Sequence, residues 1–177
     1  RSRLVGSEMC IRDRFGTSLN NMTSMEKLLN NQLPLKILLV LATFLVAWIG
    51  ASANLNTDWN WYENLQKSNL NPPNYLFGIV WPILYFLMAI VSFRQAQVIY
   101  KWYLIQLFLN CIWPWLFFSL QQPEIAFANI FALIMVNIKI MLIFKSQKSW
   151  FDFVMYLPYL LWISFASFLN ISIVLLN

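Results

Sequence analysis

Long apolar blocks alternate with short polar breaks along most of this chain. They run from about Pro34 to Leu55, Pro72 to Phe93, Trp102 to Leu120, Glu124 to Phe144 and Phe151 to Leu176. Each is close to the roughly 20 residues with which an α-helix crosses a hydrocarbon core of about 30 Å. Buried helices of a soluble bundle keep a polar outer face, and YLFGIVWPILYFLMAIVSF has none. The pattern therefore predicts an all-α membrane protein, a bundle of five transmembrane helices. Pro34 suits a first helical turn, and Asn71 is the expected N-cap of the second helix. The breaks are Asn56 to Asn71, Arg94 to Lys101, Gln121-Gln122-Pro123 and Lys145 to Trp150.

Residues 1–33 differ in character and are read as a polar leader ahead of one domain at 34–177. The first 21 lack the apolar core of a signal peptide. They are expected to be a disordered leader or, in the preferred reading, non-native sequence ahead of a start at Met22 or Met25.

Composition supports the bilayer reading. The chain is 60% hydrophobic and 11% charged, against about a quarter charged in soluble domains. The net charge of +5 comes from basic residues at block ends, with no basic stripe suited to nucleic acid. Lys27, Lys36, Arg94, Lys101, Lys145 and Lys148 fall on one predicted side, and the other connections hold only Lys67. That bias predicts the N-terminus inside and the C-terminus outside. Lys139 is expected to snorkel to the basic side.

Absences remove several chemistries. The chain has no histidine, two cysteines and four glycines, which excludes histidine triads, the common zinc motifs, a proximal-histidine haem and glycine-rich phosphate loops. No metal site is expected.

Aromatic residues recur at helical spacing instead. Phe77, Trp81 and Tyr85 share one face, Asn110, Trp113 and Phe117 a second, and Trp162, Ala166 and Asn170 a third. Brought together, these faces would form an aromatic cavity for a flat, conjugated, apolar ligand, oriented by a side-chain amide. Packing of aromatics against neighbouring helices is the competing reading. Asn110 and Asn170 must find partners within the bilayer, through interhelical bonds or a ligand. Pro82 and Pro114 are candidate bends.

The run WYENLQKSNLNPPNYLFGIVWPILYFLMAI resembles the signature region of the TspO/MBR family of tryptophan-rich sensory and translocator proteins. QLFLNCIWPWLFF and LPYLLWISFASFLN resemble its later motifs, in the same order. The resemblance implies a five-helix bundle, commonly a homodimer, binding protoporphyrin IX or a related tetrapyrrole. It places Trp81, Tyr85, Asn110, Trp113, Trp162 and Ala166 in the pocket, and Trp61 and Tyr62 at the start of a lid-like first connection. Ser68 and Leu70 depart from the family pattern, standing where a proline and an aromatic are common. The C-terminal SIVLLN lacks the sterol-recognition pattern of animal members.

Three functions follow as expectations. The first is a porphyrin-binding sensor or regulator, in a bacterial cell membrane by the chain's Asn, Ile, Lys and Phe bias. The second is light- and oxygen-dependent porphyrin degradation with Trp81 or Trp162 as possible electron donors, since no Asp, Glu or His lies in the aromatic faces. The third is transport of porphyrin or another apolar small molecule, although inverted repeats and midplane charges are lacking.

Overall fold

A computed structural model describes residues 32–177. The leader, its candidate start sites and Lys27 lie outside the described residues. Among these residues all regular structure is helical, without strands. The elements are α1 (Gln32–Leu55), α2 (Trp59–Asn64), α3 (Asn74–Pro114), α4 (Pro123–Ser146) and α5 (Trp150–Leu176). A π-turn, Trp115–Ser119, extends α3.

Among the described residues, four helical runs are long and apolar enough to cross a membrane, of 24, 46, 24 and 27 residues. Their outward faces carry large apolar side chains, such as Trp48 at 71% exposure, as lipid contact requires. The chain is a multi-pass membrane protein whose surroundings are the bilayer.

The expected turn at Arg94 to Lys101 contains no loop residues, although the chain reverses direction there. Helical structure continues through it, and the second and third apolar blocks form one run from Asn74 to Ser119. Arg94, Gln95, Ala96, Gln97 and Lys101 are good helix formers, and neither glycine nor proline interrupts them. Polarity marked where the chain meets water, not where its helix stops.

This run is not a rod. At about 1.5 Å per residue it would extend roughly 69 Å, more than twice a bilayer core. Straight geometry would also separate Tyr85 from Asn110 by about 37 Å, yet their side chains are hydrogen bonded. Tyr103 Oη likewise reaches Met88 O at 3.3 Å. The run therefore folds back near the fully buried Ala96, giving two facing arms.

Polar clasps fix the arms. Arg94 Nε donates to Asp152 Oδ1 at 2.6 Å, and Gln95 Nε2 donates to Asp152 Oδ2. This ties the bend to the first turn of α5. Lys36 Nζ lies 5.5 Å from the Phe93 ring centroid, so the start of α1 meets the same end. At the opposite end, Trp115 Nε1 donates to Ile49 O and Ser119 Oγ to Ala53 O, both at 3.2 Å. Past the π-turn, Gln121 takes a positive φ of 53° and Pro123 begins α4, as its fixed φ and missing N–H favour.

Two boundary expectations also change. The residue preceding α3 is Pro73, without a side-chain cap, and Asn71 instead donates through Nδ2 to Pro72 O. The first connection contains α2, where Asp58 accepts from the N–H groups of Asn60 and Trp61. That cap satisfies N–H groups otherwise orphaned at a helix start.

Candidate functional site: an aromatic cavity between the first helices

A cavity of about 560 Å³ opens between α1, α2 and the two arms of α3. Small-molecule sites commonly span about 300–1,000 Å³. Phe77, Trp81 and Tyr85 line it from the first arm, Asn110 and Trp113 from the second. Tyr62 joins them from α2.

The rings are held by contacts of defined geometry. Trp81 and Tyr85 have centroids 5.6 Å apart at 31°. Trp113 stacks on Phe117 at 5.5 Å and 22°, with Phe118 edge-on at 6.0 Å. Trp113 Nε1 donates to Asn170 Oδ1 at 3.2 Å, and Asn170 Nδ2 donates to Pro123 O at 2.7 Å. That indole N–H is therefore used in positioning the ring. Asn110 is bonded on both sides, accepting from Tyr85 Oη and donating to Tyr159 Oη. Both asparagines thus make interhelical bonds, and Asn110 also reaches the cavity wall.

Other sequence-selected residues stand behind the wall. Phe117 is buried beneath Trp113, and Trp61 meets Phe117 edge-on at 6.1 Å. Trp162 packs against Phe77 with centroids 5.7 Å apart, and Ala166 is buried in the bundle. None of these four lines the cavity, and no α5 residue does. The α5 stripe supports the arms because Tyr159 and Asn170 lock it onto Asn110 and Trp113.

Sequence reading missed the α1 wall: Phe44, Ala47, Gly50, Ala51 and Asn54. Its signal was present, since Ala47, Gly50, Ala51 and Asn54 follow the i, i+3, i+4, i+7 spacing of one helical face. Small side chains there leave the volume that the opposing aromatics enclose. A Cβ on Gly50 would meet Pro114 Cγ at 3.5 Å and Tyr85 Oη at 3.9 Å, so α1 comes close to the arms. Trp59 and Phe118 are further lining residues that the sequence reading did not select.

On the α2 side, Trp59 and Tyr62 meet edge to face at 6.2 Å, and Lys67 Nζ lies 4.4 Å from the Tyr62 centroid. Burial raises the Tyr62 phenol above its ordinary pKa of 10, while hydrogen bonding with Asn71 pulls it down. Leu70 is exposed and does not line the cavity. Among the described residues, no cluster of three or more histidine, cysteine or acidic side chains could hold a metal ion.

Fold and cavity define a multi-pass helical membrane protein with an aromatic chamber between its first helices. The chain belongs to the TspO/MBR family, whose model matches residues 37–176. It is 37% identical to the tryptophan-rich protein TspO of Archaeoglobus fulgidus over 146 residues, covering 78% of this chain and 94% of that protein. It is 34% identical to the tryptophan-rich sensory protein of Cereibacter sphaeroides over 122 residues, covering 66% and 77%. The translocator protein of Ovis aries is 30% identical over 122 residues, covering 63% and 72%.

Proposed function

We propose that this protein is a porphyrin-binding membrane sensor, with protoporphyrin IX or a related tetrapyrrole held in the α1–α3 cavity. The observation that carries the reading is the wall itself: Trp81, Tyr85, Phe77 and Trp113 around about 560 Å³, with an amide and a phenol at one point. Aromatic faces favour a flat conjugated ligand by stacking, and few polar groups suffice to fix its orientation.

The two facing arms of α3 support five crossings. Lys36, the bend carrying Arg94 and Lys101, and the Lys145–Lys148 connection lie together at one end. That end is assigned to the inside, with the C-terminus outside. The protein works as a homodimer in a bacterial cell membrane.

Titration of the detergent-purified protein with protoporphyrin IX tests the reading through tryptophan fluorescence. Saturable quenching is expected, with Trp81→Phe weakening affinity more than Trp162→Phe, because only Trp81 lines the cavity. Absence of saturable quenching, or equal affinity in wild type and Trp81→Phe, would overturn it. Trp81 on the wall also favours a second reading, light- and oxygen-dependent degradation of the bound porphyrin. Trp162 stands behind Phe77 and supports that reading less. Loss of the porphyrin absorption band under illumination, slowed in Trp81→Phe, separates degradation from binding alone.

A further inference from the structure

Four side chains form a one-way chain of hydrogen bonds leading inward from the cavity wall. Tyr85 donates its hydroxyl proton to Asn110 Oδ1. Asn110 Nδ2 donates to Tyr159 Oη at 2.9 Å, and Tyr159 donates to Gln106 Oε1 at 2.9 Å. There the chain ends. Gln106 is fully buried, and its Nε2 has no partner among the described residues.

The direction matters at the wall. A phenol has one proton, and that of Tyr85 is committed to Asn110. Tyr85 therefore offers the cavity a lone pair, not a proton. Its oxygen lies near the opposite wall, 3.9 Å from the place of a Cβ on Gly50.

Turning both amides over would reverse every bond. Gln106 Nε2 would donate to Tyr159, Tyr159 to Asn110 Oδ1, and Asn110 Nδ2 to Tyr85. The Tyr85 proton would then be free to point into the cavity, and Gln106 Oε1 would become the unpartnered atom. Either arrangement leaves one buried amide atom unsatisfied. At the buried end of the chain, Gln106 turns Oε1 toward Tyr159.

We propose that Gln106 and Tyr159 are positioning residues that set the hydrogen-bonding sense of Tyr85. The cavity then favours flat apolar ligands that carry an N–H or O–H donor on the edge facing Tyr85. The inference rests on the cavity being a ligand site, and it adds the polarity of the preferred ligand.

Carbazole and dibenzofuran test it, being three-ring molecules of nearly the same shape that carry an N–H and an ether oxygen respectively. Binding is measured by titration calorimetry on the full chain in one detergent. Wild type is expected to prefer carbazole by roughly two- to tenfold, the worth of one net hydrogen bond. Gln106→Leu removes the acceptor for Tyr159, whose proton then turns to Asn110, so the preference should invert toward dibenzofuran. Tyr85→Phe should bring the two affinities together. A merely structural role would weaken both probes alike and leave their ratio unchanged.

If Gln106→Leu does not fold, Tyr159→Phe interrupts the same chain and should abolish the carbazole preference. A wild type without preference, or a ratio unchanged in the variants, overturns the inference while leaving the cavity reading intact. If wild type binds neither probe nor protoporphyrin IX, the cavity reading fails and this inference falls with it.

Discussion

Tyr103 donates its hydroxyl proton to the carbonyl oxygen of Met88 at 3.3 Å, although the two residues are 15 apart in one uninterrupted helical run. The same hydroxyl shares a hydrogen bond with Thr43 of α1 at 2.7 Å. One oxygen therefore joins α1 to both arms of α3. Tyr103→Phe should cost about 0.5–1.5 kcal/mol, the range for neutral intramolecular hydrogen bonds. Its detergent-unfolding midpoint should fall below wild type, and an unchanged midpoint would refute this role.

Asp152 is 2% exposed while the Arg94 side chain is 49% exposed. The asymmetry sets the expected cost. Exposure of Arg94 limits the worth of the pair to about 1 kcal/mol, and Gln95 still donates to the carboxylate when Arg94 is removed. Arg94→Ala and Asp152→Asn should each lower the melting temperature. The double variant should be less destabilised than the sum of the two, as a double-mutant cycle measures. Strict additivity would show that the clasp does not couple the bend to α5.

The Tyr62 phenol is raised above its ordinary pKa of 10 by burial. In the unfolded chain this group ionises from about pH 10, whereas the folded protein resists ionisation to higher pH. The stabilisation is therefore complete below about pH 10 and declines as pH rises from there through the folded value. An alkaline melting series should show a steeper loss of stability for wild type than for Tyr62→Phe. Parallel curves would refute the prediction.

Asn177 holds the first connection by two bonds. Its Oδ1 accepts from Gln66 N–H at 2.9 Å, and its Nδ2 donates to Gln66 O at 3.1 Å. Asn177→Ala should speed hydrogen exchange at the Gln66 amide severalfold while leaving α4 amides unchanged, because the loss is local. Equal exchange at Gln66 would show that the connection is held by other contacts.

Lipid solvent made the apolar blocks legible, because it requires long runs without a polar face. The inner aromatics followed from spacing on one helix: Phe77, Trp81 and Tyr85 do share a cavity wall. Three features escaped the sequence reading. The bend at 94–101 is built from helix-favouring residues, so polarity gave no sign that the helix continues. Trp162 and Trp113 look alike in sequence, and only the crossing of α5 with the arms puts one behind the wall and the other on it. The α1 wall is made of Ala47, Gly50 and Ala51, small residues whose contribution is the room they leave.

The fold-back of α3 also bears on how the chamber comes into being. Its polar point joins Tyr85 to Asn110, a separation of 25 residues, and α1 precedes both. During synthesis from the N-terminus, the chamber's walls are complete before α4 and α5 emerge, and loop closure over so short a span costs little entropy. The last helix is synthesised after every wall residue, and through Tyr159 and Asn170 it holds Asn110 and Trp113 in their orientation. A truncated chain ending near Leu120 should therefore retain the chamber's outline while losing the fixed orientation of Asn110 and Trp113.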